Sequence, residues 1–301
     1  MESPGIMGAS TPTPPAPTPH PRPRWSGGWP WWTAPLALLG GLVLAAVGAL
    51  IVDIPAAIFG VHVTSSHIPG GLEIVDTVIQ DAGFVLAAVL CAGLGGRMVR
   101  AWQFGLRPPR VGWRRAALAI VVLVIAFLIF SAVWAAVLSS NAKDKVLEQL
   151  GTNEGTALLL ASALLTCVVA PICEEFLFRG FIFTALSSWR GPWPAAVLTG
   201  LLFGGVHAGS APAVDLLPLA ALGFGLCLLY RYSGSLYPCM IAHSLNNSLA
   251  FGGLEEWGWQ ILVLMPVALV AIGLIVLGFK RIGLIVPPPP DSPGAVLASE
   301  A

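Results

Sequence analysis

Between residues 34 and 279 the chain is apolar in eight separate stretches, near 34–52, 82–96, 117–139, 157–189, 193–208, 214–230, 236–251 and 260–279. About twenty consecutive apolar residues cross a bilayer core as a helix. In lipid every backbone polar group must be satisfied internally, so only helices and closed barrels span. The alternating short strands of a barrel are absent. The expected fold is therefore all-α, a polytopic transmembrane helix bundle of about eight spans. The second, fifth and seventh stretches are short for a span, and the fourth is too long for one. Only 10% of the residues are charged, against about 25% in an ordinary soluble domain.

The few charges are unevenly placed. The linker 97–115, RMVRAWQFGLRPPRVGWRR, holds six arginines and no acid. With eight spans it falls on the same side as Arg22, Arg24, Arg190, Arg231, Lys280 and Arg281. The opposite linkers hold Asp53, Glu73, Asp76, Glu148, Glu154, Glu255 and Glu256, with Lys143 and Lys145 as their cations. The positive-inside rule then places both termini in the cytoplasm. Formal net charge is zero, so no basic field favours nucleic acid. Nine prolines in residues 1–30 predict a disordered cytoplasmic tail over 1–31, and PPPPDSPG a second tail over 283–301. Between them, 32–282 forms the transmembrane domain. Trp25, Trp29, Trp31 and Trp32 suit a membrane–water interface. Cys91, Cys167, Cys173, Cys227 and Cys239 form no CxxC pair and read as small packing residues.

Within the fourth stretch stands CEEFLFRGF, with Glu174, Glu175 and Arg179. A charge at the centre of a span costs about 2.5–3.5 kcal/mol on insertion scales. Glu175 and Arg179 are at i and i+4 with the acid first, the favourable order for a pair. Glu174 points about 100° away and has no such partner. An unpaired carboxylate in a low dielectric takes up a proton or finds another group, which makes it a candidate general base. Two further spans carry polar sets. FGGVH places Phe203 and His207 at i,i+4, and HSLNN places His243 and Asn247 likewise. Polar groups inside a bilayer turn toward the bundle interior and toward each other. Ser244, Asn246 and Ser248 read as interhelical hydrogen bonders. A carboxylate, two imidazoles and an amide suit hydrolysis of an amide by water: base, water-positioning or leaving-group acid, and oxyanion donor. No HExxH and no serine elbow is present.

These three motifs, EExxxR, FxxxH and HxxxN in that order, resemble the CAAX-processing and bacteriocin-processing (CPBP, or Abi) intramembrane endopeptidases, relatives of the Ras-converting CAAX protease. The resemblance covers about 155–252. It implies an endopeptidase in which Glu174 activates water, His207 holds and polarises it, and His243 and Asn247 complete the site and stabilise the oxyanion. Glu175, Arg179 and Phe203 support them. It also implies a peptide or protein substrate that is membrane-associated, prenylated or a leader peptide, and a home in the bacterial plasma membrane, with the lipid bilayer as the other partner. The family is described both as metal-dependent and as metal-free. Glu174, His207 and His243 are the set that would hold Zn²⁺ or another divalent metal. Two other readings compete: a non-catalytic immunity or scaffold protein of the same fold, and a proton- or ion-coupled transporter. One geometric requirement follows. Counted from 157 and 193, Glu174 and His207 fall at different depths. They meet only if the fourth helix is long and tilted, or kinked at Pro171.

Overall fold

The computed structural model describes residues 29–61, 69–138 and 155–285. These form eight α-helices and, among the described residues, no strand. They are α1 (Thr33–Ile58), α2 (Gly70–Ala92), α3 (Gly112–Leu138), α4 (Thr156–Arg190), α5 (Pro192–Val206), α6 (Leu216–Ser233), α7 (Leu236–Leu254) and α8 (Gln260–Arg281). Six of them (α1, α2, α3, α4, α8 and the stretch Ala213–Ser233 around α6) are long and apolar enough to cross a membrane. The protein is an integral membrane helical bundle. The predicted tails lie almost wholly outside the described residues, as do Lys143, Lys145, Glu148 and Glu154.

The hydropathy pattern places all eight helices, but three acids move. Asp53 is in α1, and Glu73 and Asp76 are in the first two turns of α2, not in a linker. The helices extend beyond their apolar centres because a backbone leaving the bilayer still satisfies its hydrogen bonds most easily as helix. Trp29 also moves. It is 3% exposed and packs against Phe104 and Phe181, with ring centroids 4.8 Å from each. Trp31 and Trp32 stay exposed, as an interface position requires.

Helix α4 is the central post. It touches α1, α2, α5, α6, α7 and α8. At 35 residues and about 1.5 Å per residue it exceeds the roughly 30 Å core of a bilayer. Two π-helical stretches interrupt it, Leu165–Val169 and Phe176–Phe183, with Pro171 and both glutamates between. Proline has no N–H, so Pro171 cannot donate to the carbonyl of Cys167 at i−4, nor to that of Thr166 at the i−5 spacing of a π-turn. Helix α7 supplies the missing donors. Ser244 Oγ donates to the Cys167 carbonyl at 2.6 Å and Asn247 Nδ2 to the Thr166 carbonyl at 3.0 Å. The proline thus creates the acceptors that dock α7.

Helices α5 and α6 cross closely through glycine. A Cβ on Gly204 would collide with the carbonyl of Leu216 and lie 2.9 Å from Ala220 Cβ, and one on Gly223 would lie 2.9 Å from Phe203 Cβ. Small residues at such a crossing let backbones approach in the absence of a hydrophobic drive between helices. The approach brings the start of α6 beside His207.

Candidate active site

The Glu175 carboxylate is fully buried and accepts two hydrogen bonds on one oxygen. Arg179 Nη1 donates to Oε1 at 2.7 Å, and His243 Nδ1 donates to the same atom at 2.9 Å. Arg179 is also fully buried, and its Nη2 donates to the Gly223 carbonyl at 3.1 Å. The i,i+4 pair read from the motif is therefore present, and it reaches α6 and α7 as well. A carboxylate on Nδ1 fixes the tautomer of His243 and leaves Nε2 as the free nitrogen. That nitrogen faces the second glutamate: Nε2 lies 3.9 Å from Glu174 Oε2, beyond direct hydrogen bonding. Glu174 Oε2 is buried without a hydrogen-bond partner.

His207 caps the end of α5. Its Nδ1 donates to the Phe203 carbonyl at 2.7 Å, since a carbonyl only accepts, and so its Nε2 is free too. Phe203 is the packing hub of the three motifs. Its ring lies 4.5 Å below the Arg179 guanidinium and 5.1 Å and 5.5 Å from the rings of His207 and His243. Edge-on contacts and a cation over the ring are favourable geometries for an aromatic face. A spacing of four residues in FxxxH puts the ring directly beneath the imidazole it positions.

Glu174, Phe203, His207, His243, Asn246 and Asn247 all line one cavity of about 270 Å³. Its remaining wall is mostly apolar, with Phe127 and Trp134 from α3 and Pro218, Leu219 and Leu222 from α6. Helix α4 is long and α5 follows it directly, with His207 capping its C-terminus, and Glu174 and His207 line the same cavity. Among the described residues, no three His, Cys, Asp or Glu side chains are grouped as a metal-holding set. Glu174, His207 and His243 share a cavity but do not converge as ligands. Asn247, expected as an oxyanion donor, spends one amide hydrogen on Thr166. Asn246 Nδ2 donates to Asn247 Oδ1 at 3.3 Å. Ser244 bonds between helices as expected, while Ser248 donates within α7 to the Ser244 carbonyl. The five cysteines are free, and all but Cys173 are buried.

One acid escaped the sequence reading. Asp81, on α2, is 1% exposed with neither carboxylate oxygen hydrogen-bonded. The second apolar stretch, 82–96, begins one residue after Asp81. An acid flanked on both sides by helical apolar periodicity is the signal that would have found it.

Comparison with known proteins follows the same residues. Residues 156–249 match the family model described as type II CAAX prenyl endopeptidase Rce1-like. The curated protein "Putative membrane peptidase YdiL" of Bacillus subtilis (strain 168) is 32% identical over 85 residues, 28% of this chain and 34% of that protein. An uncharacterized protein of Mycoplasma capricolum subsp. capricolum is 31% identical over 88 residues, 29% of this chain and 25% of that protein. The chain thus covers about a quarter to a third of the length of these relatives. No solved structure matches it. The matched segment runs from the first turn of α4 to α7, includes every residue of the three motifs, and is similar to the Rce1-like family.

Proposed function

We propose that the protein is an intramembrane endopeptidase that hydrolyses a peptide bond of a membrane-associated substrate with water activated by Glu174. The observation that carries this reading is the arrangement of the two glutamates about His243. Glu175 holds Nδ1, so Nε2 is presented to Glu174 across 3.9 Å, inside a cavity that also takes His207. A water held between them gives one proton to Glu174 as its oxygen bonds to the scissile carbonyl carbon. Charge gathers on the carbonyl oxygen, and a hydrogen of the Asn246 or Asn247 amide is the donor for it. The carbon–nitrogen bond then breaks, and the proton passes from Glu174 or an imidazole to the leaving amine. His207, its Nδ1 committed to the Phe203 carbonyl, turns Nε2 to the water or the amine. Glu175 and Arg179 act by positioning.

The test uses the full chain purified in nanodiscs, with a fluorogenic peptide library. Wild type is expected to cleave and Glu174→Gln to be inactive at unchanged thermal stability. Parallel reactions with and without a chelator decide whether a metal takes part. Cleavage by Glu174→Gln at the wild-type rate would overturn the assignment of the base. A stable wild-type protein that cleaves nothing would favour the immunity or scaffold reading.

A further inference from the structure

Every lysine and arginine of the described residues except Arg179 lies at one end of the bundle, where α2, α4, α6 and α8 finish and α3, α5 and α7 begin. No described aspartate or glutamate lies there. Asp81 stands about three turns before the end of α2, and Glu175 about four turns before the end of α4. At this end three guanidiniums crowd together. Arg110 Nε donates to the Tyr232 carbonyl at 2.9 Å and its Nη2 to the Arg231 carbonyl at 2.6 Å, while Arg107 Nε donates to the Gly234 carbonyl at 2.9 Å. These bonds close the C-terminus of α6. Gly234 permits the closure: its φ is +66°, and a Cβ there would lie 3.3 Å from Arg110 Cδ. Arg231 stands in the last turn of the same helix, with its guanidinium 5.3 Å from the ring centre of Trp193 at the start of α5.

Helix capping accounts for only part of this charge. A helix C-terminus carries about half a negative charge, and three cations surround this one. Burial and the neighbouring Arg107 and Arg231 charges push the Arg110 guanidinium below its ordinary value. Arg107 commits Nε and keeps two Nη groups, which carry four further N–H donors. Arg231 makes no side-chain hydrogen bond among the described residues. Both side chains are half-buried. Half-buried donors of one sign with no carboxylate beside them call for an anion. Their depth is set independently of their charge. Trp189 and Trp193 are exposed, with Arg190 4.6 Å from the ring of the first and Arg231 on the second. Indole rings settle at the level of the lipid headgroups, and a guanidinium over such a ring is held at that level. The acceptor in greatest supply there is a phospholipid phosphate.

We propose that Arg107 and Arg231, beside Trp193, bind the phosphate of an anionic phospholipid. A guanidinium takes a phosphate through two parallel N–H donors, and two guanidiniums of one cleft match a headgroup that keeps its negative charge. Below the headgroup the protein offers a place for an acyl chain. Trp193, Val197 and Leu201 recur at four-residue spacing along α5, on one face of the helix, and are 57%, 51% and 55% exposed. A soluble phosphate has no use for such a track. The bound lipid joins the linker before α3, the start of α5 and the end of α6, which otherwise meet here through like charges. The site is separate from the cavity of Glu174 and His207, and it depends neither on proteolysis nor on which leaflet the basic end occupies.

The full chain, purified in detergent, is mixed with phosphatidylglycerol or phosphatidylcholine, and retained lipid is measured by native mass spectrometry. Wild type is expected to hold one phosphatidylglycerol more tightly than phosphatidylcholine. Equal retention of the two lipids overturns the proposal. Arg231→Gln breaks no side-chain hydrogen bond within the protein and should weaken retention of phosphatidylglycerol about fivefold, leaving phosphatidylcholine unchanged. The control Arg115→Gln with Arg281→Gln removes two exposed charges from the same end and should weaken it less. If the control weakens it as much or more, the attraction is the diffuse field of the basic end, and the site is overturned. Excess inorganic phosphate should leave the lipid bound. Displacement by it would make the ligand a soluble phosphate and overturn the lipid. A phosphatidylglycerol with a photoreactive headgroup, crosslinked to the wild-type chain in nanodiscs, covers the case in which Arg231→Gln does not fold. It is expected to mark the segments around Arg107 and Trp193, and labelling confined to other segments overturns the site.

Discussion

Adjacent glutamates in one helix stand in different surroundings because the helix turns them toward different neighbours. Glu175 is held through Oε1 by Arg179 and His243, both within 2.9 Å, while Oε2 of each glutamate is buried without a hydrogen-bond partner. Glu175→Gln removes the charge that Arg179 faces in a dry interior. The expected loss is about 3–5 kcal/mol, the cost of orphaning one member of a buried pair. The double change Glu175→Gln with Arg179→Met should recover stability, since removing both charges of such a pair is often near neutral. It should not recover activity, because the carboxylate that fixes His243 is still absent. Thermal unfolding and peptide turnover on the same preparations test this. Full activity in the double variant would show that His243 needs no carboxylate to orient it. The Glu175–Arg179 pair was legible in the sequence, because four-residue spacing is a property of the helix itself. The His243 bond was not legible, because it depends on the register of α7 against α4, which no local spacing contains.

Helix α4 shows how one residue sets the packing of another element. Pro171 has no N–H to give to the carbonyls of Thr166 and Cys167, and Asn247 and Ser244 donate to them from α7. Ser244→Ala should then cost about 1–3 kcal/mol, the penalty for a buried acceptor left unmet. Pro171→Ala returns an N–H to the helix. In that background Ser244→Ala should cost markedly less, and a double-mutant cycle on unfolding free energy measures the difference. Equal costs in the two backgrounds would mean that the proline does not create the demand. Asn247→Ala should lower stability by a similar amount. If the second amide hydrogen of Asn247 serves the oxyanion, turnover also falls by about 10²–10³. The sequence shows Pro171 and the HxxxN spacing plainly. It does not show the two π-helical stretches, because no local spacing in the sequence marks them. Their place beside the glutamates agrees with the frequent use of such bulges at functional sites.

At the scale of the whole molecule, hydropathy was sufficient for the helical bundle, because lipid permits so few alternatives. Details at the membrane surface were less legible, because there composition and packing give different answers. Trp29 is the clearest case. Proline-rich surroundings assign it to a tail, yet it is 3% exposed and wedged between Phe104 of the arginine linker and Phe181 of α4. It joins the start of α1 to the central helix, beneath the cavity. Truncating a buried aromatic to alanine costs about 3–5 kcal/mol through lost contacts and the void left behind. Trp29→Ala should therefore lower thermal stability clearly in detergent. Trp31→Ala removes a residue that is 45% exposed and stacked on Trp189, and should change stability far less. Turnover per folded molecule should be similar in both variants at temperatures where each stays folded, because neither ring touches the cavity. Equal stability losses in the two variants would place Trp29 at the lipid interface with its neighbours.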